Sequence, residues 1–327
     1  MTKLKASIIC STALLFALSI STTGSASASS AFQKHYDIGK SFLVNQNFEL
    51  ALKEFNAALA LEPKNAETLV DRGTAYNGLR RYDLAIKDFS EAIKLAPNNY
   101  LAYNNRGVTH FRRDELDQSI KDLDRAIEID GNQPIAYLNR AGASLANGTG
   151  AVAAEKIDKW LRKTNWRSEY SGHAAVLAAL GYRQGNNPAA ANALLEEALK
   201  KTDHLKWPYP ALKFLTGKLL GKKLLEDAES SDYDSTQAHC FLALKFLIEK
   251  DRKQAQIHLD WVVKTGTQNS VEYWIARSLS KAKSKPTEPT ATGTPSPASV
   301  EKTNATSKVP AQSAAAKPAT AKPSKVK

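Results

Sequence analysis

Apolar and small residues between positions 66 and 99 fall into two groups of helical period. Leu69 and Tyr76 stand seven apart in the first half, and Phe89 and Ala92 three apart in the second, so each pair shares one helix face. Gly73 and Ala85 are small where the two helices must cross, and a larger side chain would hold the backbones apart. Pro97 ends the second helix, because it lacks an amide proton and clashes with the preceding turn, and Asn98-Asn99 carry the turn that follows. The spacing predicts a helix pair with one uncovered apolar face, which needs neighbours to bury it.

The neighbours are written in the same pattern. Thirty-four residues earlier stand Gly39, Phe42, Ala51, Phe55, Ala58 and Pro63, and thirty-four later Tyr103, Gly107, His110, Ser119, Leu123 and Ala126, with Gly131 in place of proline. A degenerate fourth copy holds Tyr137, Ala141, Ser144, Ala153 and Ile157, with Trp160 where a small residue belongs. Ala179, Tyr182, Ala191, Leu195 and Ala198 make a fifth copy in a shifted frame, and Ala243, Phe246, Ala255 and Leu259 a sixth. This unit resembles the tetratricopeptide repeat, with its signature W-x2-L-G-x2-Y, then A-x3-F, then P; Leu69 and Arg72 stand here in place of the first aromatic and the leucine. The resemblance implies an all-α solenoid of about six helix–turn–helix repeats, some degenerate, at about 32–65, 66–99, 100–133, 134–167, 172–203 and 235–265.

Other stretches punctuate the array. Lys3 and Lys5 precede an apolar run from Ile8 to Ile20 and the small residues STTGSASASSA, the layout of a signal peptide cleaved after Ala28 or Ala26. The segment 1–28 is expected to direct export, and Cys10 within the apolar run is not placed as a lipid-accepting cysteine, so a soluble periplasmic or secreted protein is expected. Residues 29–203 then carry the repeat array. Segment 204–283 breaks the period with HLKWPYP, whose prolines about Tyr209 predict an extended elbow. A leucine stripe, the sixth repeat and a last helix at about 270–283, placed to cap the stack, follow. From Ser284 to Lys327 seven of the chain's thirteen prolines accompany seven Lys and two Glu, a composition expected to stay disordered. That tail carries +5 of the formal +12, and the signal segment +2, which leaves +5 on the repeat body.

Chemistry is sparse. No HExxH, CxxC, GxSxG or P-loop occurs, and the six histidines show no metal spacing, so neither catalytic residues nor a metal or cofactor are expected. His239 and His258 fall on the two helices of one hairpin and are expected to pack together. Cys240, the one cysteine beyond the signal segment, reads as a buried inert thiol. Alternating charges at Lys87, Asp88, Glu91 and Lys94 read as a solvated outer face.

The expected binding surface is the concave face lined by the first helix of each repeat: Tyr36, Asp37, Lys40, Asp71, Asn104, Asn105, Phe111, Leu138 and Asn139. Asp or Asn recurs at the sixth unit position, as Asp37, Asp71, Asn105 and Asn139, either to bond a threaded peptide or to bond the next repeat. Chaperone-binding tetratricopeptide domains resemble this array but use a two-carboxylate clamp of Lys and Asn; here position 5 of the first repeat is Tyr36 and position 2 of the third is Leu101, which disfavours C-terminal EEVD-type ligands.

The succession WPYP (207–210), FLTGK (214–218), AHCFLAL (238–244), DRKQAQIHL (251–259) and TGT with VEY (271–273) resembles the C-terminal half of bacterial envelope adaptors of the new lipoprotein I type. That resemblance covers roughly 32–283. It implies a periplasmic, homodimeric adaptor that brings peptidoglycan hydrolases to a protease, although this chain lacks the lipid-accepting cysteine and adds a basic tail. The function expected is therefore a non-catalytic exported scaffold that takes protein or peptide partners in its groove. The alternative is a polyanion- or wall-binding protein acting through its tail, and nucleic acid is not an expected partner.

Overall fold

The computed structural model describes residues 29–282; the signal segment and the tail from Ser284 lie outside the described residues. Within them the chain is all-helical. Five hairpins come first: α1 (29–44) with α2 (Phe48–Leu61), α3 (Ala66–Gly78) with α4 (Tyr82–Leu95), α5 (Tyr100–Arg112) with α6 (Leu116–Ile129), α7 (Pro134–Ala146) with α8 (Gly150–Thr164), and α9 (Ser171–Gln184) with α10 (Pro188–Lys201). Two short helices follow, α11 (Tyr209–Leu215) and α12 (Gly221–Ala228), then α13 (Asp232–Ile248), α14 (Arg252–Thr265) and α15 (Val271–Ala282). This is the tetratricopeptide solenoid that the spacing predicts.

The period of 34 is visible in the backbone itself. Gln46, Arg80, Asp114 and Gly148, each 34 after the last, adopt left-handed φ values of 58°, 59°, 64° and 78°. The residue after each donates its N–H to the carbonyl five positions back along the turn, as in Arg81 to Tyr76 (2.8 Å) and Glu115 to His110 (3.0 Å). This closes the first helix of each hairpin and re-aims the chain into the second. Asn65 and Asn99, also 34 apart, cap the next hairpins by accepting from the amides of Thr68 and Ala102.

Packing follows the same rule. Phe55, Phe89, Leu123 and Ile157 are buried at equivalent positions of the second helices. Each ring or branched chain presses on the small residue of the first helix, and a Cβ added at Gly73 would lie 2.7 Å from Phe89 Cε1. Burying such a side chain contributes about 1.5–3 kcal/mol, which joins the two helices of each hairpin.

Charge adds a second column. Arg72 donates from Nε and Nη2 to Asp88 (2.7 and 2.8 Å) and from Nη1 back to Asn56 (2.9 Å). Arg106 repeats this with Asp122 and Ser90. In the next copy the position ahead holds Lys156, so Arg140 turns back to Asp124 instead, and Lys156 joins it at 3.1 Å. Asp88 is therefore not on the solvated face that its charged neighbours suggest. It is 5 % exposed and clamped by a guanidinium from the first helix of its own hairpin.

The elbow is also shorter than its prolines suggest. It ends at Pro208, because Pro210 sits in the first turn of α11, where no amide donor is required. The leucine stripe is broken at Gly217 (φ 75°), so Leu212 and Leu215 are buried in α11 and Leu224 in α12, while Leu220 between them is exposed. This detour returns the chain toward the array. α13 packs on α9, and α15 packs on α14 and α13 and, with another face, on α7.

Candidate functional site

The first helices of the hairpins present one common inner face, and α15 lies on it. Gly142 of α7 makes this possible, because a Cβ there would run into the Val271 side chain of α15, with Phe111 and Ile275 close by. Arg277 of α15 donates to the carbonyl of Arg112 (3.1 Å), and Ser278 and Lys281 both reach Asp114, the left-handed turn residue after α5. Arg80 of the preceding turn bonds Gln268. The guanidinium groups of Arg112 and Arg277 both lie over the Trp274 ring, 5.3 Å and 5.1 Å from its centroid. Sequence pattern marks α15 as an apolar-faced helix, but not that part of this face meets repeats three and four.

With α15 in place, the inner face divides into two clefts that share Asn139, Asn269 and Val271. The first, about 330 Å³, is floored by α3 and α5 and walled by α15. Asn104, Asn105, Phe111 and Asn139 line it. The asparagines form a ladder across three repeats: Asn139 Nδ2 donates to Asn104 Oδ1 (3.2 Å), Asn104 to Asn105 (3.0 Å), and Asn105 to Thr74 Oγ1 (3.2 Å). Each amide spends one of its two N–H donors on the ladder, and the second remains for another acceptor. Inter-repeat bonding and ligand bonding are thus compatible on the same side chains.

Arg112 faces this cleft without a carboxylate. Among the described residues its guanidinium makes one hydrogen bond, from Nη1 to Asn77 Oδ1 (3.2 Å), and its buried Nε finds no partner. Burial pulls the guanidinium below its ordinary range. No acidic residue lines the cleft.

Tyr36, Lys40 and Asp71 form a separate group one repeat away. The Lys40 ammonium lies over the Tyr36 ring at 5.2 Å, and Tyr36 donates to Asp71. Burial, then the Asp71 charge, lifts the Tyr36 phenol above its usual range, and burial likewise raises the Asp71 carboxyl. Asp37 is exposed and bonded to Gln33. Leu138 is buried and lines the second cleft, and Phe111 is only 2 % exposed, so both serve as floor.

The second cleft, about 340 Å³, is bounded by α7, α9, the elbow, α13 and the start of α15. His173, Trp207, Tyr233 and Asp234 line it, none of them expected as a binding residue from the sequence; they come from three segments, α9, the elbow and α13, which sequence does not bring together. A larger cleft of about 690 Å³ between α5 and α6 is based on Arg106 and Asp122, which already satisfy one another.

Elsewhere, His239 and His258 meet with Nδ1 atoms 2.9 Å apart, and His239 stacks on Trp261 at 3.8 Å. Burial, then the neighbouring His258, lowers His239 to about 4, and burial lowers His258 as well. Cys240 is fully buried, and burial lifts its thiol well above the ordinary range, so it is not the activated thiolate that nucleophilic chemistry needs. Among the described residues no group of three or more His, Cys, Asp or Glu is placed to hold a metal.

Comparison with known proteins agrees with this geometry. A tetratricopeptide repeat model matches three overlapping windows, 36–100, 70–134 and 104–166. Residues 36–166 are tetratricopeptide repeats. The matched windows include α3, α5 and α7, the helices that carry the asparagine ladder. A tetratricopeptide repeat protein from Parabacteroides merdae superposes with a TM-score of 0.51 at 15% identity, covering 76% of this chain and 99% of that one. PilF of Pseudomonas aeruginosa gives 0.47 at 16% identity, covering 76% and 96%, and MamA 0.46 at 23%, covering 54% and 96%. These likenesses speak to fold alone. No curated protein sequence matches the chain.

Proposed function

We propose that this protein is an exported, non-catalytic scaffold that docks an extended segment of a partner protein along the asparagine ladder of α3, α5 and α7. The observation that carries the reading is the cleft beside α15. It offers three aligned amides with unspent donors and an arginine with no counter-ion among the described residues. An extended backbone supplies the carbonyls that such amides bond. An acidic residue in the segment would supply the charge that Arg112 lacks, since a buried guanidinium is stabilised by a paired carboxylate. Export rests on Lys3, Lys5, the apolar run to Ile20 and the small residues after it. Envelope partners of the kind implied by the new lipoprotein I resemblance, peptidoglycan hydrolases and a protease, are the first to assay.

The test is selection of peptides from a random display library on residues 29–327, followed by affinity measurement on Asn105→Ala, Asn139→Ala and a chain lacking 284–327. Docking along the ladder predicts that each alanine weakens binding about tenfold, the loss of one hydrogen bond worth roughly 1.4 kcal/mol, and that tail removal changes nothing. Binding that follows the tail and ignores both asparagines would instead support a polyanion-type contact through the lysines of 284–327.

A further inference from the structure

We propose that the second cleft is a pocket for one cationic group, the ammonium of a lysine or the guanidinium of an arginine, presented by the segment docked in the first. The proposal rests on the docking reading above and names part of what the segment must carry. Three aromatic rings, Tyr170, Trp207 and Tyr233, stand in its wall together with two carboxylates, Glu169 and Asp234. The chain has 45 Lys and Arg against 33 Asp and Glu, yet no Lys or Arg lines this cleft. Elsewhere Asp88, Asp114, Asp122 and Asp124 each hold a guanidinium or an ammonium. Among the described residues Glu169 and Asp234 hold neither, although Asp234 is desolvated enough for its carboxyl to be raised.

The wall is built from behind. Trp207 Nε1 donates to Gln237 Oε1, Gln237 Nε2 donates to His173 Nδ1 (3.2 Å), and His173 Nε2 donates to Glu272 Oε1 (2.5 Å). All three donors run in one direction, which fixes the indole as a wall and His173 in one tautomer. The relay ends on a carboxylate that is fully buried, and whose second oxygen has no partner. Its charge reaches Tyr233 on the cleft wall. A cation in the cleft would meet aromatic faces, which attract it through their quadrupole, and two carboxylates able to replace its lost hydration. An anion is repelled by the same groups. A neutral apolar side chain would desolvate Glu169 and Asp234 without return. The neighbouring cleft has the opposite character, with Arg112 and no acid, so the groove reads charge in order along its occupant.

The test uses blocked single residues as probes: N-acetyl-lysine, N-acetyl-arginine and N-acetyl-norleucine methylamides, with putrescine as a free amine. The readout is the Trp207 indole resonance of the 15N-labelled chain, assigned with Trp207→Phe. Saturable shifts are expected for the lysine and arginine probes with Kd near about 1 mM, the range for a single small group. Norleucine should bind at least about tenfold more weakly, and Glu169→Gln with Asp234→Asn should abolish the lysine response while leaving the chain folded, with Tm lowered by no more than the small helix-terminus contribution of Asp234. Equal binding of norleucine, no saturable shift, or a lysine response surviving in the double variant would overturn the proposal. Putrescine binding more tightly than the blocked lysine would overturn the assignment to a side chain. The probes do not need the asparagine ladder. Probe failure with intact Asn105-dependent peptide binding would sink this proposal alone; probe binding without Asn105-dependent peptide binding would leave the cation pocket standing and sink the docking reading, with the assignment of its occupant.

Discussion

Removing Asp122 tests the charged column that runs beside the apolar one. Arg106 donates to it through Nε at 2.7 Å and Nη2 at 2.8 Å, and Asp122 is only 9 % exposed on its side chain against 21 % for Arg106. Breaking a buried pair from one side costs about 3–5 kcal/mol, because the remaining charge is stranded. Here a fifth of Arg106 still reaches water and Ser90 still accepts from Nη1 at 3.0 Å. Screening and that remaining bond reduce the expected cost of Asp122→Ala to about 2–3 kcal/mol. Taking away both partners strands nothing, so Arg106→Met with Asp122→Ala should cost only about 0–1 kcal/mol, less than the single change. Urea unfolding followed by circular dichroism gives the midpoints, and amide exchange in α5 and α6 locates the loss, since a repeat array can open locally. If Asp122→Ala costs under about 0.5 kcal/mol, the value of an exposed pair, or if the double change is the worse of the two, the clamp does not hold the hairpin as described.

Two further tests probe other joints of the fold. His239 and His258 are both depressed below the ordinary imidazole range, His239 to about 4, so the unfolded chain binds more protons than the folded one as pH falls. Their contribution to stability is full above about pH 6.5 and is lost as pH falls from there toward 4; the midpoint of unfolding should drop over that window, and His258→Gln should flatten the slope. Gly142→Leu places a side chain where Val271 now sits, and should lift α15 from α7, seen as faster amide exchange in α15 without loss of the α1–α6 hairpins.

Much of the fold is legible in the sequence, because a repeated unit states its own contacts. Gly73 beneath Phe89 and Gly39 beneath Phe55 are readable from the spacing once the period is seen, since only a small residue leaves room for the ring. What the period does not state is how the array meets itself. Val271 and Ile275 form an unremarkable helix stripe, and their seat on Gly142 and Phe111 joins residues over 120 positions apart. Asp88 misled for a related reason. Its neighbours Lys87 and Glu91 are polar, and only the helix-to-helix crossing shows that Arg72 reaches it from the inner side. The asparagine ladder stood half open in the sequence: the recurrence of Asx at one unit position was plain, but both of its readings needed side-chain geometry to be seen as compatible.

The central claim, that partners dock on the inner face beside the ladder, is tested most directly by site-specific photocross-linking in the native host. A photoreactive residue at Val108, in the first cleft, should capture a partner protein, and one at Leu84, exposed on a second helix of the array, should not. Capture from Val108 should fade when Asn105→Ala is added. Equal capture from both positions, or capture from Leu84 alone, would contradict the account.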